Sequence, residues 1–239
     1  MRKIYFKVLF CFILALFVLY QNVQGEDKLL PIDQAKMMQE KFQKALRELK
    51  REIRSEVEVE NPGTITGKVK CKRVRHSGNT VTYIERVGGN KYDPPEEHGV
   101  IDQISNTFIP RILAVQRGTT VDFPNNDLIK HNVFSAPVSC NQFNFGTYDV
   151  GVTKSVTFDK TCEVPLLRNT HAEMSAFVIV LDNPYFAITS SDGSFTIGNV
   201  PSGNYTLKTW HERLQPVTQE VTVEAGKTTD VSLVLEKRI

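Results

Sequence analysis

His131, in the segment His131-Asn132-Val133-Phe134-Ser135, precedes by about forty residues a second segment, Leu166-Leu167-Arg168-Asn169-Thr170-His171-Ala172-Glu173-Met174. Strand-like sequence surrounds both. His131, His171 and Met174 carry the side chains that offer chemistry here, because imidazole and thioether groups are transition-metal ligands. Arg168, three residues before His171, is not a ligand type: a guanidinium has no acceptor lone pair and stays protonated. The other histidines carry weaker signals. His76 lies in the basic loop Lys72-Arg73-Val74-Arg75-His76, a solvated turn. His98 follows Pro94-Pro95-Glu96-Glu97 and is expected to be exposed. His211 follows the single tryptophan, Trp210, in Thr209-Trp210-His211-Glu212, where packing at a domain junction is the expectation. No G-x-S-x-G elbow, Walker loop, H-E-x-x-H or glycine-rich dinucleotide fingerprint occurs, so the chain is not expected to be an enzyme.

The 239 residues suffice for one or two domains, and the net charge of +2 with ordinary composition points away from nucleic acid. The N-terminus has a short positive head, Met1-Arg2-Lys3, and an apolar run of about thirteen residues from Val8 to Tyr20. Val23-Gln24-Gly25 then ends small before Glu26. This is the layout of a secretory signal over 1–25, and the run falls short of the ~20 residues a membrane span needs. An uncleaved anchor is the competing reading. Cleavage implies a periplasmic or secreted protein that does not span the membrane. Export permits disulfides. Beyond the signal stand Cys71, Cys140 and Cys162. One bridge and one free thiol is the simple count, with Cys140 and Cys162 as the pair because both fall between the two histidine segments. Three reduced, partly buried thiols are the alternative.

Between 27 and 57, Ala35, Met38, Phe42, Ala45, Leu46, Leu49 and Ile53 recur at spacings of three and four, with lysines, arginines and glutamates between them. The spacing predicts an amphipathic helix that Asn61-Pro62-Gly63 stops. It serves as a spacer or, on the sharper reading, as a short oligomerisation helix making a homo-oligomer. After residue 62 the texture turns to period-two alternation, as in Thr64-Ile65-Thr66-Gly67-Lys68-Val69, Thr119-Thr120-Val121-Asp122-Phe123 and Asp230-Val231-Ser232-Leu233-Val234-Leu235. Asp192-Gly193, Pro201-Ser202-Gly203 and other turn signals separate the runs. Many short strands with frequent turns predict an all-β, sandwich-type architecture.

Two resemblances refine this. Phe108-Ile109-Pro110, Val115-Gln116-Arg117-Gly118-Thr119-Thr120-Val121, Phe123-Pro124-Asn125-Asn126-Asp127 and His131-Asn132-Val133, with His171 and Met174, resemble the cupredoxins, the plastocyanin-like blue-copper family of electron-transfer proteins, over residues 97–182. That resemblance implies a Greek-key sandwich with its metal ligands at one end. Type 1 copper takes two imidazoles, one thiolate and a weak axial thioether. In the family pattern C-x-x-H-x-x-M the thiolate comes three residues before the second histidine, and here Arg168 occupies that position. The resemblance therefore implies His131, His171 and Met174 as metal ligands, with copper held weakly or not at all. Asn132 fits the residue that fastens the two ligand loops together. A redox or envelope protein would be the partner. A metal-free structural or protein-interaction module is the alternative.

Thr189-Ser190-Ser191-Asp192-Gly193-Ser194-Phe195 and Val200-Pro201-Ser202-Gly203-Asn204-Tyr205-Thr206-Leu207 resemble turns of the carboxypeptidase-regulatory, transthyretin-like domains. The missing first strands have a candidate in Gly63-Thr64-Ile65-Thr66-Gly67-Lys68-Val69 and Val81-Thr82-Tyr83-Ile84-Glu85. The expected organisation is a signal over 1–25, a helix or spacer over 26–60, a cupredoxin-like domain over 97–182, and a transthyretin-like sandwich split between 62–90 and 183–239. The alternative gives residues 62–90 to the cupredoxin-like part.

Overall fold

A computed structural model describes residues 61–88, 92–168 and 174–237. The N-terminal apolar run, the helix expected over 27–57 and His171 lie outside the described residues. Every regular element among the described residues is a β-strand, so the all-β class read from the alternation is what the described residues adopt.

Strands from the two ends of the described chain pair with one another. β1 (Gly63–Cys71) lies between β14 (Ser194–Val200) and β17 (Thr228–Leu235), antiparallel to the first and parallel to the second. β2 (Val81–Ile84) lies between β13 (Phe186–Ile188) and β15 (Gly203–Trp210), with β16 (Thr218–Val223) beyond β15. Neither β1 nor β2 shares a ladder with a strand between residues 99 and 181. The Asp192-Gly193 turn shows why the sequence takes this register. Gly193 has φ +87°, and a Cβ there would stand 2.0 Å from the Val69 carbonyl oxygen. Only glycine combines that dihedral with that approach. The buried side chains of these strands, among them Ile65, Val69, Ile84, Phe195, Leu207, Val231 and Leu235, form one core.

The intervening residues form a second sandwich. One sheet holds β3 (Gly99–Val100), β7 (Thr119–Pro124) and β10 (Thr153–Phe158). The other runs β6 (Ile112–Gln116), β12 (Ala176–Leu181), β11 (Glu163–Leu167), β8 (His131–Ser135), β9 (Asn144–Tyr148). A hairpin of β4 (Asp102–Ile104) and β5 (Thr107–Ile109) stands beside them. Phe108, Val121, Phe123, Val133, Phe158, Leu166, Val178 and Val180 fill the space between the sheets.

β12 is apolar at every position because both of its faces are covered. Ala176, Val178 and Val180 face the second sandwich's core. Ile179 and Leu181, with Ile112 and Ala114 of β6, pack against Val81 of β2 and Trp210 of β15. Phe177 meets the Trp210 ring at 5.3 Å between centroids. The two sandwiches thus share a third apolar cluster, which includes Trp210, and lie within one compact unit, Glu60–Ile239.

Candidate ligand end of the inserted sandwich

Strand register sets the geometry of this end. His131 is the first residue of β8 and is only 1% exposed. β11 runs antiparallel to β8, with Leu167 opposite Phe134. The chain leaving β11 therefore travels toward the His131 end, and Arg168 is the next residue. Met174, two residues before β12, stands at the same end, because β12 runs antiparallel to β11 with Ala176 opposite Leu166.

Asp127 organises the cluster. The Asn125-Asn126-Asp127 turn after β7 is held by Asn125, whose side-chain amide donates to the Ile129 carbonyl at 3.0 Å and whose Oδ1 accepts from the Asp127 N–H at 3.2 Å. This is the local bonding that suits asparagine to turns. The Asp127 carboxylate then accepts from the N–H of Leu128 at 2.7 Å, the N–H of Asn106 at 2.7 Å and Nε2 of His131 at 2.8 Å. Hydrogen bonds from the Asn106 backbone, then from His131, hold its pKa down at about 2. An ionised carboxylate can only accept, so His131 carries its proton on Nε2. Nδ1 of His131 is buried and has no partner among the described residues.

Arg168 points inward and is 5% exposed. Nη1 donates to Oδ1 of Asn106 at 3.2 Å and to the Met174 sulfur at 3.2 Å, and Nη2 donates to the Lys130 carbonyl at 3.4 Å. Its Nε has no partner among the described residues. Burial works against its charge, and the nearby Asp127 carboxylate favours it. The strand register delivers the side chain into the interior, and the Asp127 charge favours its guanidinium there.

The structure thus brings together His131, Arg168 and Met174 from the sequence reading, and His171 is outside the described residues. It adds Asp127 and Asn106, which sequence reasoning did not assign to the site. Ser105 and Asn106 have φ +51° and +56° at the β4–β5 tip. A two-residue turn with asparagine in the left-handed region was legible as a hairpin signal, but nothing local to it pointed across to Asp127.

No thiolate stands at this end among the described residues. Cys140 and Cys162 are bonded to each other, with Cα atoms 6.5 Å apart. They lie at the other end of the β8–β11 pair: Cys162 is six residues before Arg168, roughly 20 Å along an extended strand. Cys71 is buried in the core of the other sandwich. A type 1 copper centre does not fit these residues. A divalent ion about 4 Å from the guanidinium would meet a repulsion of roughly 8 kcal/mol at an effective dielectric near 20. Among the described residues no group of three or more His, Cys, Asp or Glu side chains is placed to hold a metal ion.

The other histidines are accounted for. His76 is exposed. His98 is half exposed, with Nδ1 3.0 Å from the Asp122 carboxylate. His211 is buried beside Trp210, accepts the Arg213 N–H on Nδ1 at 3.1 Å, and has its pKa lowered by that burial. Next to it Glu212 holds Arg111 through two contacts of 2.6 and 2.8 Å, and Arg111 reaches Ser175 at 3.4 Å.

Comparison with known proteins finds one family match and several similar solved structures. The carboxypeptidase regulatory-like domain family matches residues 169–236, under a third of the chain. That span starts before the expected boundary at 183 and includes β12. A purple cupredoxin from Nitrosopumilus maritimus is similar at 22% identity and TM-score 0.32, over 34% of this chain and 98% of that one. A copper-containing nitrite reductase from Thermus scotoductus is similar at 23% identity and TM-score 0.35, over 42% of this chain and 25% of that one. An oxidized amicyanin mutant is similar at 20% identity and TM-score 0.33, over 34% of this chain and 80% of that one. No curated relative matches the chain.

Proposed function

We propose that this protein is an exported, blue-copper-related β-sandwich protein that works without metal, as a structural or protein-interaction module of the cell envelope rather than as an enzyme or electron carrier. Its organisation is an interrupted transthyretin-like sandwich, 62–90 with 183–239, carrying the cupredoxin-like sandwich 97–182 as an insert. The observation that carries the metal-free reading is the Arg168 guanidinium, buried and donating to the Met174 thioether. A cation supplied by the chain is already engaged with the sulfur that would serve as axial ligand. The test is metal analysis of full-length protein purified after copper loading. Well under one copper per chain is expected, and a stoichiometric content would overturn the reading.

One observation favours a second reading, weak copper binding by His131, His171 and Met174. A histidine whose Nε2 is fixed by a carboxylate presents a free Nδ1 lone pair, the arrangement that orients metal-bound imidazoles. His131 with Asp127 has that form. Copper uptake that disappears in His131→Ala would select this reading.

A further inference from the structure

We propose that the Cys140–Cys162 bridge is a thiol–disulfide exchange site: a dithiol reductant attacks Cys140, and the side-chain amide of Asn141 holds the thiolate that leaves on Cys162. The bridge stands apart from the His131 end, and the proposal does not depend on whether that end takes metal.

Two connections meet at the bridge. Cys140 and Asn141 lie between β8 and β9, and Lys160 and Cys162 lie between β10 and β11. Asn141 fastens one connection to the other. Its Oδ1 accepts from the Lys160 N–H at 3.1 Å, and its Nδ2 donates to the Lys160 carbonyl at 2.7 Å. Nδ2 also stands 3.2 Å from Sγ of Cys140 and 3.4 Å from Sγ of Cys162. An amide nitrogen has two hydrogens, so the one left over is shared by the two sulfurs. A bonded sulfur is a weak acceptor, whereas a hydrogen bond to an ionised group is roughly twice as strong as a neutral one. The amide therefore gains most when negative charge appears on sulfur, the moment at which exchange needs it. Sγ of Cys140 lies 3.6 Å from the Lys160 carbonyl oxygen. A bonded sulfur has no hydrogen to offer that oxygen, and a thiol has one. Both sulfurs of the reduced pair thus meet partners already in place, which keeps them in register for the bond to re-form.

Packing decides which sulfur is attacked. Both cysteines are half-buried, but Cys162 packs against the core between the sheets. Cys140 follows the exposed Pro137-Val138 stretch, in which Val138 is 94% exposed. That apolar surface beside the bridge gives a dithiol protein a place to seat. In the first step a thiolate of the reductant bonds to Sγ of Cys140 and the S–S bond breaks. Its electron pair stays on Sγ of Cys162, which takes the Asn141 hydrogen bond and then a proton. In the second step the other thiolate of the reductant attacks its own sulfur in the mixed disulfide and releases Cys140, which is protonated in turn. The chain gains two electrons and two protons, and the reductant leaves as its disulfide.

The experiment follows cleavage of the bridge in oxidised, full-length protein by dithiothreitol, and by glutathione with acid quenching and peptide mapping. Glutathione should be found on Cys140; attachment chiefly to Cys162 would overturn the assignment. Asn141→Leu keeps the bulk and removes the donor. It should be cleaved about tenfold more slowly by either reagent, the worth of one hydrogen bond to a charged group. Loosening of the two connections alone would speed cleavage, so a variant cleaved as fast as wild type, or faster, would overturn the role of Asn141. If Asn141→Leu does not fold, wild type is compared with itself in urea. Cleavage of the folded chain at least as fast as that of the unfolded chain supports the proposal. A folded chain cleaved far more slowly has an ordinary structural bridge, and the proposal is then wrong.

Discussion

Replacing Asp127 by asparagine tests how much of this end depends on one carboxylate. Asp127 is 8% exposed and accepts three hydrogen bonds, from Asn106, Leu128 and His131. Its pKa falls from 3.8 to about 2. At ~1.4 kcal/mol per unit this corresponds to about 2 kcal/mol at most. Because the folded value is the lower one, that stability is present above the unfolded value near pH 4 and is lost as pH falls toward 2. The substitution also removes the negative charge that favours the buried Arg168 guanidinium, although the two side chains share no hydrogen bond. Asp127→Asn should therefore destabilise by about 2 kcal/mol at pH 7, and the difference from wild type should shrink between pH 4 and pH 2. Urea unfolding followed by fluorescence of the single tryptophan, Trp210, measures both. In a double-mutant cycle with Arg168→Met the coupling should be on the order of 2 kcal/mol. A cost under about 1 kcal/mol that does not vary with pH, together with no coupling, would refute the reasoning.

Further expectations address other parts of the fold. Copper-loaded wild type should show no intense blue absorption, whereas Arg168→Cys should develop it if the two histidines converge; a colourless variant would mean that they do not. Thiol labelling of the denatured, unreduced protein should modify Cys71 and spare Cys140 and Cys162. Reducing that bridge, which closes a loop of sequence separation 22, should cost about 3 kcal/mol in the chain-entropy model; labelling of all three would contradict the pairing. Gly193→Ala should cost more than about 1 kcal/mol in chemical denaturation, because its Cβ would strike the Val69 carbonyl. A neutral result would mean that the Asp192-Gly193 turn does not lie on β1.

Much of the fold was legible because alternation and turn chemistry are local signals. The runs at 64–69, 119–123 and 230–235 fall inside β1, β7 and β17. The Asp192-Gly193 turn is where a glycine of positive φ closes the approach to β1. β9 and β13 were not legible: Asn144-Phe145-Gly146-Thr147-Tyr148 and Phe186-Ala187-Ile188 are short edge strands with weak alternation, defined by their ladders rather than by their own pattern. At the site, His131, Arg168 and Met174 stood out by residue type and family spacing. Which way Arg168 points was not readable. That depends on the Asp127 charge, on the β8–β11 register and on an asparagine from a hairpin tip sixty-two residues away in sequence. These contacts are non-local, and no single segment encodes them.

On the metal-free reading, the guanidinium of Arg168 keeps metal from the end of the sandwich where His131 and Met174 lie. A crystal of the full-length protein soaked in copper, with diffraction recorded on both sides of the copper absorption edge, tests it most directly. No anomalous peak is expected at His131 and Met174, with Arg168 still against the Met174 sulfur. A full-occupancy copper peak on Nδ1 of His131, with Arg168 swung out to solvent, would contradict it.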